Sequence, residues 1–223
     1  MSPVQPYQPV LLRLVHGIAA LLGVLALLTG FWVYNTYDRR WGSLPLPRLD
    51  SVQDIHGTLA LTFFVLFPAL VVYSFHLGDR RLIQPQSLQH LSQPGEPRWW
   101  VALHRLTTTL MLLAATFSIL TGRMMQEAWL PAGDVTQQWY LAHLLGWVVV
   151  CMSLALHVLL GAKVGGVPLL RSMVQWGIRS DDSPRGWLRG MHKWPSNSLL
   201  KGLEILVLGA LVLALVLPAF TLD

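Results

Sequence analysis

Cysteine is almost absent from this 223-residue chain, Cys151 being the single copy. That excludes an intrachain disulfide, zinc or iron–sulfur sites of the CxxC type, and the CxxCH attachment of a c-type haem. Charge is scarce as well. Asp, Glu, Lys and Arg make up 12% of the residues, about half the share usual in a soluble domain. No Asp or Glu stands in the middle of a long apolar run. No nucleophile–base arrangement suggests a hydrolase. No segment alternates as a half-buried strand would, and no internal repeat or low-complexity tract stands out.

What is abundant is apolar sequence, 53% of the chain, with a mean hydropathy of +0.50. This is the profile of an integral membrane protein. Five segments are long enough to cross a bilayer, at about 11–34, 54–76, 101–122, 140–162 and 202–220. The first could be mistaken for a signal peptide, but it is too long for an h-region, has no small-residue cleavage site and carries His16. The expected fold is therefore an all-α integral membrane protein: a four-helix transmembrane bundle over residues 1–165, a basic amphipathic segment over 166–201, and an additional fifth helix over 202–223. Within the basic segment, PLLRSMVQWGIRS sets Leu169, Leu170, Met173 and Val174 against Arg171, Gln175 and Arg179, as a short surface helix would.

The net charge of +5 does not point to nucleic acid, because the cations sit between the apolar runs. With the N-terminus inside, twelve fall on the inner side (Arg13, Arg80, Arg81, Arg98, Arg105, Lys163, Arg171, Arg179, Arg185, Arg189, Lys193 and Lys201) and four on the outer (Arg39, Arg40, Arg48 and Arg123). Positive-inside orientation then puts the N-terminus in the cytoplasm and Asp223 outside. The outer loop 123–139 carries Trp129, Pro131 and Trp139, suited to the interface. Lys201 and Glu204 at the start of span five are expected to snorkel.

Histidine inside a membrane is a functional hypothesis by default. Span four, AHLLGWVVVCMSLALHVLLG, carries two, His143 and His157, 14 positions apart. On a helix that is roughly 21 Å of rise and a return to within ~40° of the same face. Topology puts His143 and His56 near the outer surface, His157 and His16 near the inner. Two depth-matched pairs result, His16 with His157 and His56 with His143, and each pair can clamp one haem iron between imidazoles. A bis-histidine iron has no open position, which favours electron transfer over oxygen chemistry. Gly17 and Gly57 follow their histidines, and Gly146 and Gly161 lie near theirs. Such small residues either let a macrocycle approach the backbone or serve only to pack helices. His76 and His104 compete for the inner site. His76 points to nearly the opposite face from His56 and is expected at the interface. His104 is expected to anchor its helix or contact a propionate, and it could line a quinone pocket. His90 and His192 fall in loops. Arg13, Arg105 and Lys163 are candidate propionate partners or simple anchors.

RLVHG around His16, DIHG around His56 and the His143–His157 pair together resemble the prokaryotic di-haem b-type cytochromes. These include bacterial cytochrome b561, the gamma subunit of respiratory formate dehydrogenase and the b-type subunit of nickel–iron hydrogenases. The resemblance runs from about residue 8 to 165. It implies two non-covalent haems b ligated by His16, His56, His143 and His157, with the same pairing as the depth argument. It also implies a four-helix core and electron exchange with a quinone pool and with a redox partner protein. The setting would be a bacterial inner membrane or another energy-transducing membrane. Competing alternatives are a histidine-lined metal-ion transporter and a non-haem structural membrane subunit. The transporter would need acidic or sulfur ligands at depth, and the spans offer only Cys151 and Met152.

Overall fold

Long apolar segments satisfy their backbone amides and carbonyls in lipid only by becoming helices. The computed structural model describes residues 7–125, 136–175, 177–179, 182–191, 195 and 197–220. Among them are α1 Val10–Tyr37, α2 Val52–His76, α3 Pro85–His90, α4 Pro97–Met124, α5 Gln138–Ser172, α6 Pro184–Met191 and α7 Ser198–Phe220, with a 3-10 turn at Asp79–Arg81 and no strand. α1, α2, α4, α5 and α7 are long and apolar enough to cross a membrane. α1, α2, α4 and α7 overrun the limits expected from hydropathy by up to four residues at an end, where residues such as Trp99, Trp100 and Thr36 continue the helix, and α5 runs ten residues past its expected lower limit, across a kink at Gly166. The expected sites at Trp129, Pro131, His192, Lys193 and Asp223 lie outside the described residues.

Helices α1 and α2 form one antiparallel hairpin, α4 and α5 a second, and the two hairpins touch each other only sparingly. The end at which α1 begins is called lower here, the other upper. Leu14, Leu21 and Leu28 stand exposed on α1 at seven-residue spacing, as expected of a face turned to lipid. Helix α7 is no appendage. It packs on both α4 and α2, and Leu200, Val207, Leu211 and Ala214 join Phe64, Phe67, Val71, Phe75 and Leu112 in the largest buried cluster. In lipid this seam gains from close dispersion contact rather than from water release.

Two expectations about the lower end need correction. Glu204 does not snorkel beside Lys201. It is 3% exposed, and its Oε1 lies 2.6 Å from His76 Nε2. His76, the last residue of α2, is thereby part of the α2–α7 contact. The surface helix is also shorter than expected. Gly166, with φ +65°, breaks α5, and the helical turns end at Ser172, so Val174 to Arg179 are not helical where described.

The segment beyond α5 returns to the start of α1. The Asp182 carboxylate accepts from the Tyr7 hydroxyl, the Val10 amide and the Trp187 indole, each at 2.6 Å. Its partial burial opposes ionisation, but these hydrogen bonds and nearby Arg13 outweigh that and hold its pKa below the usual carboxylate value. A negative charge at the first free amides of α1 also suits the helix dipole. At the upper end Asn35, 2% exposed, orders the loop after α1 by pairing with the Leu44 amide at 2.6 Å and the Leu44 carbonyl at 3.2 Å.

Removing one member of a buried polar pair costs about 3–5 kcal/mol. Glu204→Ala is therefore expected to lower the thermal unfolding midpoint in detergent clearly, and Glu204→Gln, which keeps an acceptor for His76, to lower it less. Equal midpoints for both variants and the parent chain would show that the pair does not hold α7.

Candidate functional site

The sparse contact between the hairpins is bridged by histidines. His16 on α1 faces His157 on α5 at the lower end, with ring centres 6.3 Å apart. His56 on α2 faces His143 on α5 at the upper end, also at 6.3 Å. A ligating imidazole nitrogen lies about 2 Å from its metal and about 1 Å from its ring centre, so two imidazoles on opposite sides of one iron have centres about 6 Å apart. Both pairs meet that spacing. Their interplanar angles of 33° and 70° are compatible with it, since rings sharing one axis can rotate about it. The His104 and His157 rings are stacked at 4.9 Å, too close to hold an iron between them.

Hydrogen bonds select which nitrogen each ring presents. His143 Nδ1 lies 2.9 Å from the Ser118 carbonyl, which can only accept. Nδ1 therefore carries the hydrogen, and the Nε2 lone pair is left free. Three threonines act in the same sense. The Thr29 hydroxyl donates to the Leu25 carbonyl at 2.8 Å, so it accepts from His56 Nδ1 at 3.2 Å. Thr108 donates to the His104 carbonyl at 2.8 Å and accepts from His157 Nδ1 at 3.1 Å. Thr121 donates to the Phe117 carbonyl at 2.8 Å and lies 3.3 Å from His143 Nδ1. Three of the four histidines thus present a bare Nε2, the species that binds iron.

Space is arranged around the same rings. A Cβ on Gly30 would meet His56 Cε1 at 3.1 Å, and one on Gly122 would meet His143 Cε1 at 3.2 Å. The glycines expected to make room stand elsewhere. Gly17 and Gly57 have nothing within 4 Å of a notional Cβ, Gly161 borders Leu170 and His104, and Gly146 lets Ser118 and Phe117 of α4 approach α5. Gly146 is therefore a helix-packing residue, and the close approach it allows brings the Ser118 carbonyl to His143. Between the two histidine pairs, α1 and α5 leave an apolar groove of about 360 Å³ lined by Val24, Leu27, Phe31, Trp147, Cys151 and Leu154. Its walls suit the apolar faces of a porphyrin. The Trp147 indole crosses the seam and donates to the Leu27 carbonyl at 3.0 Å.

Two of the three candidate propionate partners have contacts of their own, and Arg13 still keeps a buried Nε without a hydrogen-bond partner. Arg13 donates to the Gly177 carbonyl at 2.6 Å, and the Lys163 ammonium lies 5.2 Å from the centre of the Trp100 ring. Among the described residues no three His, Cys, Asp or Glu side chains converge on a common point, so a metal path lined in that way has no support.

The profile of the prokaryotic cytochrome b561 family matches residues 7–176. The chain belongs to that family. It is a multi-pass membrane cytochrome that binds b-type haem and transfers electrons. No curated protein and no solved structure matches it.

Sequence inspection missed the threonines and the two glycines, although a signal was present. Leu28-Thr29-Gly30 on α1 and Leu120-Thr121-Gly122 on α4 are the same three residues. In each copy the threonine lies beside a histidine Nδ1 and the glycine leaves room for that same ring. Thr108 and Thr121 are 13 positions apart on α4, and His157 and His143 14 apart on its antiparallel neighbour.

Gly30→Val and Gly122→Val are expected to push the upper imidazoles out of line and lower the haem content of the purified cytochrome, with helix content by circular dichroism unchanged. Full haem content in both variants would show that neither glycine shapes the site.

Proposed function

We propose that this cytochrome carries electrons across the membrane through two b-type haems, one held by His16 and His157 and the other by His56 and His143. The observation that carries the proposal is the double occurrence of facing imidazoles at 6.3 Å, one pair toward each end of the bundle. A bis-histidine haem supplies a one-electron couple with no open coordination position. The protein's part is to hold four imidazoles, three of them with Nε2 left free by a bond at Nδ1, to bury them among apolar helices, and to keep the pairs about four helical turns apart, roughly 21 Å along α5. His143 and His157 share one continuous helix, so their separation is set by backbone geometry rather than by side-chain packing.

The twelve-to-four distribution of Lys and Arg supports a cytoplasmic lower end and a C-terminus on the outer side. Family membership supports exchange with a quinone pool and a redox partner protein in an energy-transducing membrane. His104 is the residue of this chain best placed for such exchange, because its Nε2 is buried without a hydrogen-bond partner and its ring stacks on that of His157. On this proposal residues 1–165 form the haem-binding core, and 166–201 and 202–223 are additions to it.

A dithionite-minus-oxidised spectrum with a pyridine haemochrome count is expected to give b-type bands and about two haems per chain, and a count of one would overturn the proposal. His157→Ala is expected to lose the lower haem and keep the upper one. Loss of both from a folded protein would contradict the pairing. His104→Ala is expected to keep both haems, and disappearance of one would place His104 among the ligands.

A further inference from the structure

We infer that the hydroxyls of Thr29 and Thr108 are positioning groups that set the reduction potentials of the two haems independently, Thr29 through His56 and Thr108 through His157. The inference rests on the di-haem proposal and concerns residues that reach the ligand histidines at Nδ1. Each threonine spends its single hydroxyl hydrogen on a carbonyl of its own helix, Leu25 for Thr29 and His104 for Thr108. Its oxygen can then only accept from the facing Nδ1, at 3.2 Å and 3.1 Å. The helix backbone therefore fixes the direction of the hydrogen bond. A histidine whose Nδ1 hydrogen is held in this way is a more basic ligand, and a more basic ligand favours the oxidised, more positive iron. Losing the acceptor is expected to raise the potential.

The two ends differ in how fully they are supplied. At the upper end both ligands have an acceptor, Thr29 for His56, and the Ser118 carbonyl with Thr121 for His143. At the lower end the described residues show one for His157 and none for His16. Among the described residues Thr108 is thus the only threonine bonded to the lower pair. Thr121 lies 3.3 Å from a nitrogen already served by Ser118 at 2.9 Å, so its removal is expected to matter least. This internal ranking separates a tuning role from general packing, because all three threonines are half or more buried on helices of the same bundle.

The experiment is a redox titration of the purified cytochrome followed by haem absorbance, on the parent chain and on Thr29→Val, Thr108→Val, Thr121→Val and the corresponding serine variants. Valine keeps the shape and removes the acceptor, whereas serine restores it. Thr108→Val is expected to raise one haem's midpoint by about a tenfold change in its one-electron equilibrium, roughly 59 mV. Thr29→Val should raise the other haem's midpoint comparably, with Thr121→Val shifting little and each serine variant returning to the parent value. Selective loss of one haem in a valine variant with retention in its serine variant would support the same role. Unchanged midpoints, both haems moving together, or serine variants behaving like valine would overturn the inference while leaving the di-haem proposal standing. A parent chain without two haems would instead overturn that proposal and the inference with it.

Discussion

Everything in this structure depends on holding imidazole rings opposite each other across a seam where the backbone barely touches. Two pairs stand at 6.3 Å, the spacing that two imidazoles on opposite sides of one iron require. The protein meets the constraint with two helix hairpins that are tight internally and loosely apposed to each other. Each hairpin positions its own histidines. The α1–α2 hairpin uses Thr29 and Gly30 to orient His56, and the α4–α5 hairpin uses Thr108, Thr121 and Gly122 to orient His157 and His143. The seam between them is then free to take a flat, apolar group.

A loosely apposed pair of hairpins needs something to keep it from separating, and α7 supplies part of it. Its apolar face fills the space between α2 and α4, and Glu204 meets His76 at the lower end of that contact. A second tie runs below the bundle, where Asp182 takes up the first amide of α1 and the Tyr7 hydroxyl. A third is the Trp147 indole, which binds a mid-span carbonyl of α1.

The five spans, the all-α class and the family resemblance were legible because apolar run length and the positions of a few histidines survive any detail of packing. The expected roles of the four glycines near the histidines were not. Gly146 serves helix packing, while Gly30 and Gly122, on neighbouring helices, are the ones that accommodate rings. A glycine's role depends on the rotational phase of two helices, and hydropathy reports only one helix at a time. The repeated Leu-Thr-Gly was visible but carried no assignment, since threonine and glycine are common at any membrane helix interface. Glu204 illustrates the same limit. Lys201 one turn away suggested a shared outward face, yet packing of α7 against α2 turns the carboxylate inward.

What the chain's sequence determined alone is one-dimensional: where it must be helical, how long each helix is, and that His143 and His157 recur on one face. These follow from the cost of an unpaired backbone in lipid and from the 3.6-residue period. What only the tertiary structure decided is relational: which rings face each other and at what distance, which nitrogen each presents, which hydroxyls accept from them, and that the fifth helix closes the seam. Those outcomes depend on the depth and rotation of one helix against another, which many residues set jointly and no local pattern encodes.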